Sequence, residues 1–155
     1  MFGSQTLAFA RLGLGDSKGA AEALGKSLEA ATAAANLAKG SMEKKRTSEA
    51  VRRAAAAYGN LARAELLNRQ LPESIRASQT ALQLDNQPAS IHANLAHAYL
   101  LSNQADQAKA LYLAHRGDEM YGGPFEMAVL DDFAQLRKLG FDGPGMAEIE
   151  KLLGH

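Results

Sequence analysis

Residues Asn60 to Gln70 read NLARAELLNRQ, and residues Asn94 to Gln104 read NLAHAYLLSNQ. The segments begin 34 residues apart and share seven of eleven positions in order: Asn, Leu, Ala, Ala, Leu, Leu and Gln. Self-similarity at a fixed period means that one unit is used more than once, and such units bury their apolar faces by stacking on neighbours. Each copy is followed by a second segment, from Pro72 or near Asp106, with Ala and Leu at three- and four-residue spacing. That spacing is helical, so each unit is predicted to be a helical hairpin.

The rest of the chain agrees. It holds 31 Ala and 22 Leu against 2 Val and 3 Ile, so helix-favouring residues far outnumber the β-branched ones that suit a pleated sheet. The reading is all-α, without strands. With 155 residues it suits one domain. No apolar run approaches the roughly 18 residues needed to cross a bilayer, and the first twenty lack a secretory signal pattern. The expectation is a soluble, cytoplasmic chain with no membrane contact. Zero Cys excludes disulfides, thiolate metal sites and cysteine nucleophiles. Seventeen basic and seventeen acidic residues cancel, leaving no whole-molecule field toward nucleic acid or membrane.

Proline is favoured in the first helical turn, where its missing N–H would be unpaired anyway. Pro72, Pro88, Pro124 and Pro144 each precede helical spacing. With glycine as the stop signal, helices are predicted near 4–14, 19–38, 48–69, 72–84, 89–102, 105–116, 125–139 and 145–153.

A 34-residue helix–turn–helix unit with Leu-Ala in its first helix resembles the tetratricopeptide repeat, a bacterial-type member of that family. Residues 55–88 carry Tyr58, Leu61-Ala62, Ala81-Leu82 and Asp85 at the family's positions. Residues 89–122 match through Leu95-Ala96, Tyr99 and Ala108, then depart at His115 and Arg116. Residues 1–34 are a degenerate copy, with Leu7-Ala8, Gly15 and Ala20. The resemblance implies a right-handed α-α superhelix of about three hairpins over residues 1–122. An insertion, residues 35–54, separates the first two copies and is expected to be a lengthened helix pair joined by an exposed loop at Gly40 to Ser48. Residues 123–155 carry no fourth copy. Phe125, Val129, Phe133 and Leu136 form one helical stripe, with Asp131, Asp132, Gln135, Arg137 and Lys138 on the polar side, which reads as closing helices with the acids facing solvent.

Other constellations carry less chemistry. Gly19 to Gly25-Lys26-Ser27 has five intervening residues where a phosphate loop has four, and no strand precedes it. No two of His92, His97, His115 and His155 have metal-chelating helical spacing, so neither metal nor cofactor is expected. His92 stands where Tyr58 stands one repeat earlier and is expected to be packed or half-buried. Lys39 to Arg53 nets +4 and Gly117 to His155 nets −5; the basic run reads as solvated surface.

In the resembled family the first helices line a concave groove. The positions matching groove contacts are Asn60, Arg63 and Leu67, then Asn94, His97 and Leu101, with Gln5, Phe9 and Leu12 from the first copy. Spacings of three and seven put each of the two repeat trios on one helical stripe. The asparagines either hold the backbone of an extended peptide or brace neighbouring helices, while Arg63 and His97 can meet acidic groups. The lysines of a carboxylate clamp are missing. The resemblance thus implies a non-enzymatic protein-interaction module that takes a partner's peptide or helix, without a small-molecule substrate. The alternatives are self-assembly through the Ala-rich faces at Ala30 to Ala35 and Ala54 to Ala57 or, behind both, nucleic-acid contact through Lys44 to Arg53.

Overall fold

The computed structural model describes residues 2–154. The chain is predominantly helical. In order it forms α1 (Phe2–Gly13), α2 (Ser17–Lys44), α3 (Ser48–Leu67), α4 (Leu71–Leu84), α5 (Ala89–Leu101), α6 (Ala105–Ala114), β1 (Glu119–Met120), β2 (Gly123–Pro124), α7 (Phe125–Lys138) and α8 (Pro144–Leu153). Each proline marks a helix start: Pro72 and Pro144 sit in first turns, and Pro88 and Pro124 are the N-caps of α5 and α7.

Sequential helices pack as neighbours: α1 on α2, α2 on α3, α3 on α4, α4 on α5 and α5 on α6, with α3 also touching α5. Small residues permit the close approach. Ala62, Ala81, Ala96 and Ala108 have no exposed surface, and the Ser74 hydroxyl donates to the Ala62 carbonyl at 2.7 Å across the α3–α4 interface. Gly59 serves the α3–α5 contact, since a Cβ there would lie 3.0 Å from Ile91 Cγ1.

The α1–α2, α3–α4 and α5–α6 turns pass through the left-handed region at Gly15, Arg69 and Asn103, with φ of 79°, 63° and 61°. Glycine and asparagine are the usual residues in that conformation; arginine adopts it at a cost. The Arg69 side chain offsets the cost. It donates to the Leu139 carbonyl at 2.6 Å and lies 4.1 Å over the Phe141 ring, holding the segment after α7 against α3.

Two sequence expectations need correction. The second helix continues through the polar run that reads as a loop. It ends at Lys44, and only Lys45 to Thr47 connect it to α3. Serine, glutamate and lysine are tolerable helix residues, and Lys39 pairs with Glu43 one turn on, so the run extends the helix. The expectation of no strands also fails locally: Glu119 and Met120 pair antiparallel with Pro124 and Gly123 in a two-residue ribbon. Beyond α1, α2 and the start of α3 form an arm whose inner contacts consume Ala31, Ala35 and Ala54, all at most 1% exposed.

The core gathers Leu66, Leu67, Ala93, Ala96 and Tyr112 from the hairpins with Phe125, Val129, Phe133 and Leu136 from α7. α8 adds Met146, Ile149 and Leu153 and packs on α6 and α7. α7 also reaches α1, so it crosses the face carried by α1, α3 and α5. No helix among the described residues is long and apolar enough to cross a membrane.

Candidate functional site

The face carried by α1, α3 and α5 holds the residues that sequence spacing aligns, and α7 divides it into a covered part and an open part. Under α7 lies a polar network. Arg63 on α3 reaches Asp132 Oδ1 at 3.1 Å and donates to Gln135 Oε1 at 3.3 Å. Asp132 Oδ2 lies 3.1 Å from His97 Nε2, and His97 Nδ1 lies 2.6 Å from the Tyr112 hydroxyl on α6. Burial pushes the Tyr112 phenol well above its ordinary range, with Asp132 adding to the rise. The phenol therefore keeps its proton, and the ionised carboxylate, which can only accept, takes its hydrogen bond from His97 Nε2–H. For Asp132, burial acts to raise the pKa, but hydrogen bonding from His97 and the Arg63 charge outweigh it and hold the carboxyl below its ordinary value. Phe133 packs beside this chain, 5.4 Å from the His97 ring and edge-on to Tyr112 at 6.0 Å.

His97, expected to offer its imidazole to a partner, has no exposed surface and faces the protein's own α7. Asp132, expected on the solvent side of its helix, is buried with it. A buried carboxylate needs partners, and Arg63 on α3 and His97 on α5 supply them. Leu67 is 3% exposed, and Leu101 is half-buried against the same core. Gln5 is also buried, donating to the Ser27 hydroxyl at 3.1 Å.

Several of the predicted residues, buried ones among them, also border open space. Asn60, Arg63 and Asn94 line a cleft of about 150 Å³ between α3 and α5, joined by Ser90 and Tyr121. Gln5, Phe9 and Arg63 line a second, of about 280 Å³, again with Tyr121 and with Gln135. Leu12 and Leu67 contribute to a third cleft of about 450 Å³ at the far end of α3, beside Arg69 and Leu139. Asn94 is 4% exposed; its amide donates to the Gly59 carbonyl at 3.4 Å, and its Oδ1 has no hydrogen-bond partner.

Sequence reasoning missed Tyr112 and Tyr121. One repeat before Tyr112 stands Ser78, so the internal comparison gives no hint of a phenol there. For Tyr121 the signal is the Gly-Gly that follows it, which marks a tight turn. His92 is half-buried; its ring stacks on His115 at 4.0 Å and its Nε2 meets the Asn86 carbonyl at 2.9 Å. Among the described residues no His, Asp and Glu cluster is arranged to hold a metal ion.

Away from this face, Glu65 on α3 is 7% exposed and its Oε2 has no hydrogen-bond partner. Burial, reinforced by Glu73 and opposed by Arg76, pushes its carboxyl from 4.5 up to about 7. The native state then holds a proton that the unfolded chain releases, so stability falls as pH rises from 4.5 through about 7. Glu65→Gln is expected to raise stability at pH 8–9 by about 1–2 kcal/mol and to leave it unchanged near pH 4. Urea unfolding at both pH values checks this; an equal gain at the two would assign the effect to something other than ionisation.

Comparison with protein-family models, curated proteins and solved structures returned no match to this chain.

Proposed function

We propose that the chain is a protein-interaction module built from tetratricopeptide-like hairpins in a right-handed stack, and that it binds an extended peptide of a partner protein along the open part of the α1, α3 and α5 face. The observation that carries this reading is one cleft shared by Asn60 and Asn94, residues at equivalent places in successive repeats, with an Asn94 oxygen left without a donor. A buried acceptor without a partner is costly, and a backbone N–H from an extended peptide supplies what it lacks. The rigid hairpins keep the ordering cost of binding low.

A photo-crosslinking residue at position 60, expressed in the source cell, is expected to give a partner-sized adduct. The same residue at Thr32, exposed on α2, is the control. No adduct, or equal labelling from both positions, would overturn the reading.

One observation favours self-assembly as the second reading. Leu37 is 74% exposed beside a groove of about 300 Å³ lined by Ala34, Ala38, Ser41 and Ala50 on the arm. Light scattering across a concentration series separates the two, a dimer abolished by Leu37→Glu favouring assembly.

A further inference from the structure

We propose that Tyr121 is the specificity-determining contact of the open face: its ring stands between the two clefts as a post, and an extended peptide places one side chain on either side of it. This rests on the peptide-binding reading above.

Tyr121 and Gly122 form the two-residue turn between the paired Met120 and Gly123, with φ of 56° and 78°. A hairpin turn with both central residues at positive φ is normally built from Asn-Gly or Gly-Gly. A bulky aromatic at its first position is a backbone outlier, and such outliers persist where the surroundings or a ligand make use of them. Here the residue stays 68% exposed, its hydroxyl tied by a hydrogen bond to Ser90 at the start of α5. What the turn achieves is placement. Tyr121 lines both the 150 Å³ cleft and the 280 Å³ cleft, and Arg63 is the one other residue common to them.

The second, independent observation is Asn94, a residue of the smaller cleft that is 4% exposed and whose buried Oδ1 has no donor. An extended peptide offers N–H groups along its backbone and sends alternate side chains to opposite sides. With one N–H on Asn94, the smaller cleft takes a short side chain and the larger takes a bulkier one across the tyrosine ring. An aromatic with few rotatable bonds loses little freedom in such a contact.

The test uses the full chain and an mRNA-displayed library of random dodecapeptides as the probe. Affinities of the enriched peptides are then measured for wild type, Tyr121→Gly, Tyr121→Phe and Asn94→Leu, each with its thermal midpoint. Glycine is at ease at positive φ, so Tyr121→Gly is expected to melt at or above the wild-type temperature. Its affinity is expected to fall about tenfold or more, the scale of an aromatic hot spot, while Tyr121→Phe retains binding. Affinity for Tyr121→Gly equal to wild type would overturn the role of the ring and leave peptide binding intact. Enrichment of no peptide by the wild-type chain would overturn both.

Discussion

Replacing Asp132 by alanine is expected to lower stability by about 3–5 kcal/mol, the scale of breaking a buried ion pair by deleting one member. The deletion strands two groups together. Arg63, 15% exposed along its side chain, loses its counter-charge and keeps the Gln135 amide oxygen as a neutral partner. His97, with no exposed surface, loses the acceptor for Nε2 while Nδ1 remains tied to Tyr112. The neighbouring Asp131 is exposed, and Asp131→Ala should stay within about 0.5 kcal/mol of wild type. Urea unfolding midpoints of the two variants make the comparison. A loss of under about 1 kcal/mol for Asp132→Ala would mean that the network is not what holds α7 to α3 and α5.

The same carboxylate sets an acid limit. Its native pKa lies below the ordinary 3.8, so its contribution is fully present above 3.8 and is lost as pH falls through the lower native value. Asp132→Asn removes this proton linkage. Its stability should therefore fall less steeply than that of wild type between pH 4 and pH 2.

Much of the fold was legible because its signals are local. Four prolines marked four helix starts, and the recurring NLAxAxLLxxQ segment revealed the hairpin unit, since a helix period needs no partner to be read. What could not be read was the surface that the tail would choose. Phe125, Val129, Phe133 and Leu136 announce an apolar stripe, but a stripe does not state its partner. The choice falls to long-range terms: the Arg63 charge and the hydrogen bonds of Arg63 and His97 to Asp132, and the Arg69 clamp on Leu139 and Phe141. Asp132 looked like solvent-facing polarity because neighbouring Asp131 has the same chemistry. Only the register of the helix, with Asp132 beside Phe133 and one turn before Leu136, distinguishes them. The predicted binding residues divided for the same reason. Asn60, Arg63 and Asn94 remained at an open cleft, whereas His97, on the same stripe as Asn94 and one turn later, fell under the incoming helix.

Phe133→Ala tests whether that helix is a removable cover or part of the core. The ring has no exposed surface and contacts both His97 and Tyr112, so its truncation is expected to cost about 3–5 kcal/mol through lost burial and the cavity left behind. Phe133→Leu refills most of the volume and forfeits the ring-edge contacts, for a smaller loss of about 1–2 kcal/mol. The distribution of the damage matters as much as its size. Phe125, Val129 and Leu136 belong to the same cluster as Leu66, Ala96 and Tyr112, so weakening α7 weakens α3, α5 and α6 with it. Native-state hydrogen exchange of Phe133→Ala should accordingly show amides of α7 and of α3 to α6 losing protection by similar free energies. Under that outcome the covered part of the face is closed to partners, and a peptide has only the stretch beside Tyr121. Exchange confined to α7, with α3 to α6 still protected, would instead make the helix separable and uncover His97.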